Sequence, residues 1–198
     1  MLILISIWFA SLKGASYASA KLQSLTTELL SLSVYAEKTL ELKGQCLKIA
    51  KDLCKVGNAF VLGKGYGEAI AKEAALKIKE IAYMFAEGLS GGELKHGPLA
   101  LIEPGTPVFA IVLDDKHSPL MRIACKEVFS RGAHLIVVTD NAKLAEGLKA
   151  ETILIPKSGV LSALLAVIPF QIIAYYAALE QNINPDRPRN LAKSVTVD

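Results

Sequence analysis

Cysteine, histidine, tryptophan and net charge are all scarce in this chain. Its 198 residues include three cysteines (Cys46, Cys54 and Cys125), three histidines and one tryptophan. An odd cysteine count with no C-x-x-C pair excludes a disulfide framework and a zinc site. The thiols read as buried groups of a reducing compartment, so the expected location is the cytoplasm. Lys and Arg number 22 against 19 Asp and Glu, a net charge of +3. That balance gives no electrostatic reason to expect a nucleic-acid partner. Leu2–Leu12 is apolar but falls short of the roughly 20 residues that cross a bilayer. Ala18-Ser19-Ala20 follows it in the manner of a leader cleavage site, yet no Lys or Arg precedes the run. A core or interface helix is therefore the expectation there. Leu161–Leu179, interrupted by Pro169, Gln171, Tyr175 and Tyr176, reads as a buried core helix, so no membrane partner is expected. There is no internal repeat and no low-complexity segment.

What is abundant is apolar residues, at 52%, with a mean hydropathy of +0.38. That excludes a disordered chain. The length suits one domain with an appended piece. Leu22 to Lys55 is helical by its spacing, with a break expected at Gly44. Ala59–Leu62 is a short strand running into Gly63-Lys64-Gly65. Glu68 to Phe85 has helical period throughout. Val108–Leu113, Leu135–Thr139 and Thr152–Ile155 are continuous apolar strands, and Leu120–Arg131 is an amphipathic helix stopped by Gly132. Strands without alternation are buried on both faces. The order strand–helix–strand–helix–strand–strand–helix therefore predicts an α/β fold, a three-layer doubly wound parallel sheet of flavodoxin-like type. We divide the chain into N-terminal helices (1–56), the α/β domain (57–181) and an irregular C-terminal tail (182–198).

Such a sheet carries ligands beyond the carboxyl ends of its strands. Gly63-Lys64-Gly65-Tyr66-Gly67 lies there and fits either an anion cradle or a tight strand-to-helix turn. Leu113-Asp114-Asp115-Lys116-His117-Ser118 is the corresponding later loop, and its two aspartates repel a phosphate dianion. On the helix after the first loop, Lys77 and Glu80 are three apart and share a face. A carboxylate beside a lysine suits proton shuttling, though a surface ion pair looks the same in sequence. Gly91-Gly92-Glu93-Leu94-Lys95-His96-Gly97-Pro98 is the densest constellation, and a loop histidine such as His96 exchanges protons near neutral pH. His117 and His134 read as structural.

The string from Leu62, LGKGYGEAIAKEAALKIKEIAYMFAEGLSGGELKHGPLALIEPGTPV, resembles the second sugar-isomerase (SIS) subdomain of the glutamine–fructose-6-phosphate transaminase (glucosamine-6-phosphate synthase) family. The tail PDRPRNLAKSVTVD is similar to that family's C-terminus, and GVLSALLAVIPFQIIAYYAALEQN to its last helix. The opening LISIWFASLKG resembles the helix that ends the preceding SIS subdomain. The resemblance implies synthesis of glucosamine 6-phosphate from fructose 6-phosphate and ammonia taken from glutamine. That is an amino-sugar step feeding UDP-GlcNAc, with no cofactor and no metal. It implies Glu80 as the base moving the C1–C2 proton and Lys77 as its neighbour holding substrate hydroxyls. His96 would be the ring-opening group, reaching the site of a neighbouring subunit in a homodimer. Lys193 would close over the sugar, and Ala192 would line the same pocket. The chain also departs from the full-length pattern. It starts at Met1 with no cysteine before Cys46, and no Ser/Thr-rich phosphate loop is present. The expectation is the C-terminal third of such an enzyme, with the glutaminase domain and first SIS half as missing partners and little activity alone. The alternative is a non-catalytic SIS module that binds a sugar phosphate.

Overall fold

The structure is a computed structural model and describes residues 1–12 and 16–190. Helices α1 (Leu2–Leu12), α2 (Ser16–Leu40) and α3 (Lys43–Val56) come first. The α/β part follows as β1 (Asn58–Gly63), α4 (Tyr66–Ala82), β2 (Phe85–Ser90), β3 (Pro107–Ile111), α5 (Ser118–Phe129), β4 (His134–Thr139), β5 (Glu151–Leu154) and α6 (Ser162–Glu180). The five strands are parallel, in the order β2-β1-β3-β4-β5. This is the doubly wound arrangement expected from the apolar strands.

Alternate residues of each central strand feed two separate cores. Ala59, Val61, Phe109, Ile111, Ile136 and Val138 face the helices α3, α4 and α6. Phe60, Leu62, Val108, Ala110, Leu135 and Val137 face α5 and the 3-10 turns after β2. Helix α6 is apolar and long enough to cross a membrane by composition. Here it is a core helix instead: more than half of its most apolar stretch is buried, and Phe170 packs edge-on against Phe109, with ring centroids 5.4 Å apart. Burial also silences two of the thiols. Desolvation pushes Cys46 up to about 11 and Cys125 up to about 12. The thiolate is the reacting species, so at neutral pH a disulfide reagent is expected to leave both unlabelled in the native protein and to modify them on unfolding. Rapid native-state labelling of either, read by mass spectrometry, would contradict the packing.

Three sequence expectations need correcting. The helix expected to run to Phe85 stops at Ala82, because Tyr83 adopts the left-handed conformation and caps it. The residues after it form β2, a fifth strand that the sequence reading missed. Its sequence FAEGLS lacks the β-branched run of the other strands, because it is an edge strand with only one fully buried position. The break expected at Gly44 falls instead at Glu41-Leu42, between α2 and α3, and Gly44 lies inside α3. Cys46, Ile49, Ala50 and Leu53 of α3 are core residues. Helix α1 has no buried residue, and Leu2, Trp8, Phe9 and Leu12 are exposed.

Candidate functional site

The carboxyl edge of the sheet is built for tight packing. A β-carbon on Gly63 would lie 2.0 Å from the Gly67 carbonyl oxygen, so α4 can start this close to β1 only over a glycine. Gly67 and Glu68 donate their N–H groups to the Lys64 and Gly65 carbonyls at 3.1 and 3.2 Å. The loop is thus a self-satisfied strand-to-helix turn. The His117 ring covers Gly65, where a β-carbon would sit 2.5 Å from Cδ2. The structural role read for His117 from sequence agrees with this packing.

The next loop on that edge is acidic and occupied by its own contacts. Asp114 pairs with Lys157 and accepts from the Asn141 side-chain amide at 3.2 Å. Asp140 accepts from the Asp114 N–H at 2.8 Å. The Lys157 hydrogen bond, then that of Asn141, holds the Asp114 carboxyl below its ordinary value. A carboxyl lowered by folding contributes stability above its unfolded pKa and loses it as pH falls through the folded value. Asp114→Asn is therefore expected to lower the melting temperature slightly at neutral pH, and the gap to wild type should close as pH falls below the carboxylate range. A gap that widens with acid would contradict the pairing.

The Lys77–Glu80 pair lies elsewhere. Helix α4 starts at the carboxyl edge of the sheet and runs back, about 25 Å for its 17 residues. Glu80 is in its last turn, beside the amino ends of β1 and β2. Lys77 Nζ donates to Glu80 Oε2 at 2.7 Å and lies 3.5 Å from Glu73 Oε1. The hydrogen bond to Glu80 is the largest cause of a raised Lys77 pKa, so this lysine stays a cation through the neutral range. Both side chains of the pair are half-buried. Glu80 opens into a cleft of about 490 Å³ that it shares with Lys79, Tyr83, Met84, Phe85, Arg189 and Asn190. The start of the C-terminal tail thus forms a wall of the glutamate's cleft. Tyr83 and Arg189 were not singled out from sequence. No local pattern marks a tyrosine at a helix C-terminus, or an arginine 106 residues away in sequence, as neighbours.

His96 does not join this group. It is exposed and ends a 3-10 turn, Glu93–His96, whose Leu94 packs into the second core. Helix α4 packs on the opposite face of the sheet. Among the described residues no hydrogen bond or ion pair links His96 to Lys77 or Glu80. Ala192 and Lys193 lie outside the described residues. Among the described residues, no group of three or more His, Cys, Asp or Glu side chains could hold a metal ion.

A family profile described as SIS domain matches residues 52–181. The curated glutamine–fructose-6-phosphate aminotransferase (isomerizing) of Clostridium tetani is 40% identical over 197 residues, covering 98% of this chain and 32% of that protein. The chain thus spans about a third of the length of such relatives. Among solved structures, the C-terminal domain of glucosamine-fructose-6-phosphate aminotransferase from Francisella tularensis matches with a TM-score of 0.79 and 31% identity, over 84% of this chain and 47% of that one. Glucosamine-6-phosphate deaminase from Thermotoga maritima matches with a TM-score of 0.64 and 27% identity, over 90% of this chain and 50% of that one.

Proposed function

Since the chain belongs to the SIS-domain family, we propose that it carries the isomerase chemistry of a glucosamine-6-phosphate synthase. The observation that carries this reading is the half-buried Lys77–Glu80 pair on a cleft walled by the tail. The Glu80 carboxylate, 2.7 Å from Lys77 Nζ, lies on a cleft where it can meet a bound substrate, which suits it to proton transfer. On this reading ammonia condenses with the C2 carbonyl of open-chain fructose 6-phosphate and water leaves. Glu80 removes a C1 proton and returns it to C2, while the imine nitrogen gains and the C1 hydroxyl loses a proton, so that the imine becomes the amine and C1 the aldehyde of glucosamine 6-phosphate. Lys77 stays protonated and holds substrate hydroxyls beside the transfer.

Lys193 is four residues beyond Arg189, and four residues span at most about 14 Å. On this reading Lys193 closes over the sugar in the Glu80 cleft, and Ala192 lines the same pocket. His96 lies on the opposite face of the sheet from α4, so we assign the ring-opening role to the His96 of a second copy in a homodimer. The first SIS half and glutaminase domain of the longer relatives are the other proposed partners, and the cytoplasm the proposed location.

The test is conversion of fructose 6-phosphate to glucose 6-phosphate, followed by a coupled assay. The chain is assayed alone and with the first SIS half of a longer relative added. Turnover that appears or rises on addition supports the reading. No turnover in either arm, with binding of the sugar phosphate to both mixtures, would overturn it.

A further inference from the structure

Three non-glycine residues among those described have positive φ: Tyr83, Asn182 and Asn190. Asparagine tolerates that region, whereas a residue with a bulky side chain is an outlier there. Tyr83 closes α4 at φ 55, ψ 27, a position where glycine is the usual residue. The sequence thus places a phenol where the backbone favours its absence. The use of that phenol is visible. Its hydroxyl accepts the Arg189 N–H at 2.7 Å. The Arg189 guanidinium lies over its ring, 4.2 Å from the centroid, a cation–π contact. Tyr83 and Arg189 both line the Glu80 cleft. Backbone strain kept at a functional site is characteristic of residues whose side-chain placement matters more than local stability.

We propose that Tyr83 is a positioning residue that anchors the root of the C-terminal tail beside Glu80, by accepting the Arg189 N–H and stacking under its guanidinium. This rests on the function proposed above, which assigns a catalytic role to Lys193 further along the tail. A second tie lies one step back, where the Gln181 side-chain amide donates to the Ala82 carbonyl at 2.9 Å. That contact holds the end of α6 and leaves Arg189 to Tyr83 alone among the described residues.

Two variants separate this role from a merely structural one. Tyr83→Phe keeps the ring and removes the acceptor. Tyr83→Asn suits the left-handed backbone and removes both contacts. Amide hydrogen exchange at Arg189, read by NMR on the whole chain, is expected to speed up about tenfold in Tyr83→Phe, the effect of one neutral hydrogen bond, and further in Tyr83→Asn. The melting temperature of Tyr83→Asn should stay within about 3 °C of wild type, since relief of backbone strain offsets lost contacts. In the preparation that turns over fructose 6-phosphate, both variants should lower kcat at least about fivefold with KM changed less than about twofold, the mark of an interaction used in the chemical step. Unchanged exchange at Arg189 would overturn the proposal, as would faster exchange with kcat intact. If Glu80→Gln keeps full turnover, the function proposed above fails. The exchange measurement, which needs no substrate, still decides whether Tyr83 holds the tail.

Discussion

Glu80→Gln, in the preparation that turns over fructose 6-phosphate on the function proposed above, is expected to lower isomerisation by about 10²–10⁴-fold, the range a positioned general base contributes. Glutamine keeps the shape of the side chain and can still meet Lys77 Nζ, now 2.7 Å from Oε2. It cannot accept and return a proton at neutral pH. The fold should be untouched, because the pair is partly solvent-exposed and such ion pairs add little stability. Glu73, 3.5 Å from Lys77 Nζ, remains as a counter-charge. The measurement is the initial rate of glucose 6-phosphate formation, with circular dichroism on the same samples. A variant that keeps the wild-type rate would remove Glu80 from the chemistry. A variant that loses rate and helical signal together would mean that the glutamate is structural.

Phe109→Ala and Phe170→Ala are each expected to cost about 3–5 kcal/mol, since both remove a large side chain from a fully buried site. A domain has only about 5–15 kcal/mol in hand. At roughly 2–4 °C per kcal/mol, the melting temperature should fall by about 6–20 °C. The two rings meet edge to face with an interplanar angle of 68°. A double-mutant cycle should therefore return a coupling of about 0.5–1.5 kcal/mol. Ile123→Ala, at a half-exposed position of α5, is the control and should move stability by about 0.5 kcal/mol or less. A coupling of zero, with both single losses intact, would mean that each ring packs only on its aliphatic neighbours.

Much of the fold is legible in particular residues. Phe109-Ala110-Ile111 and Leu135-Ile136-Val137-Val138 have no polar position, which requires helices on both faces, and two cores are found. Strand β2 was not legible, because an edge strand is covered on fewer sides and Gly88 and Glu87 break its apolar run. Gly88 is there for another reason: a β-carbon would lie 2.5 Å from the Ala71 carbonyl oxygen of α4. The candidate site was legible in part. Lys77 and Glu80 share a helix, so their spacing alone put them together. The carboxyl-edge rule pointed to the wrong end of the sheet for this pair, because that rule concerns the loops that open helices and Glu80 lies where one closes.

From the sequence alone followed the fold class, the apolar strands, the SIS resemblance and the local Lys77–Glu80 pair, since each depends on residues close in the chain or on a period that burial imposes. Tertiary structure alone decided that α3 belongs to the core, that the turn carrying His96 packs on the opposite face of the sheet from α4, and that Arg189 returns to lie over Tyr83. These depend on how a parallel sheet lays its connections on two faces, and on contacts between residues a hundred positions apart. No local pattern encodes either one.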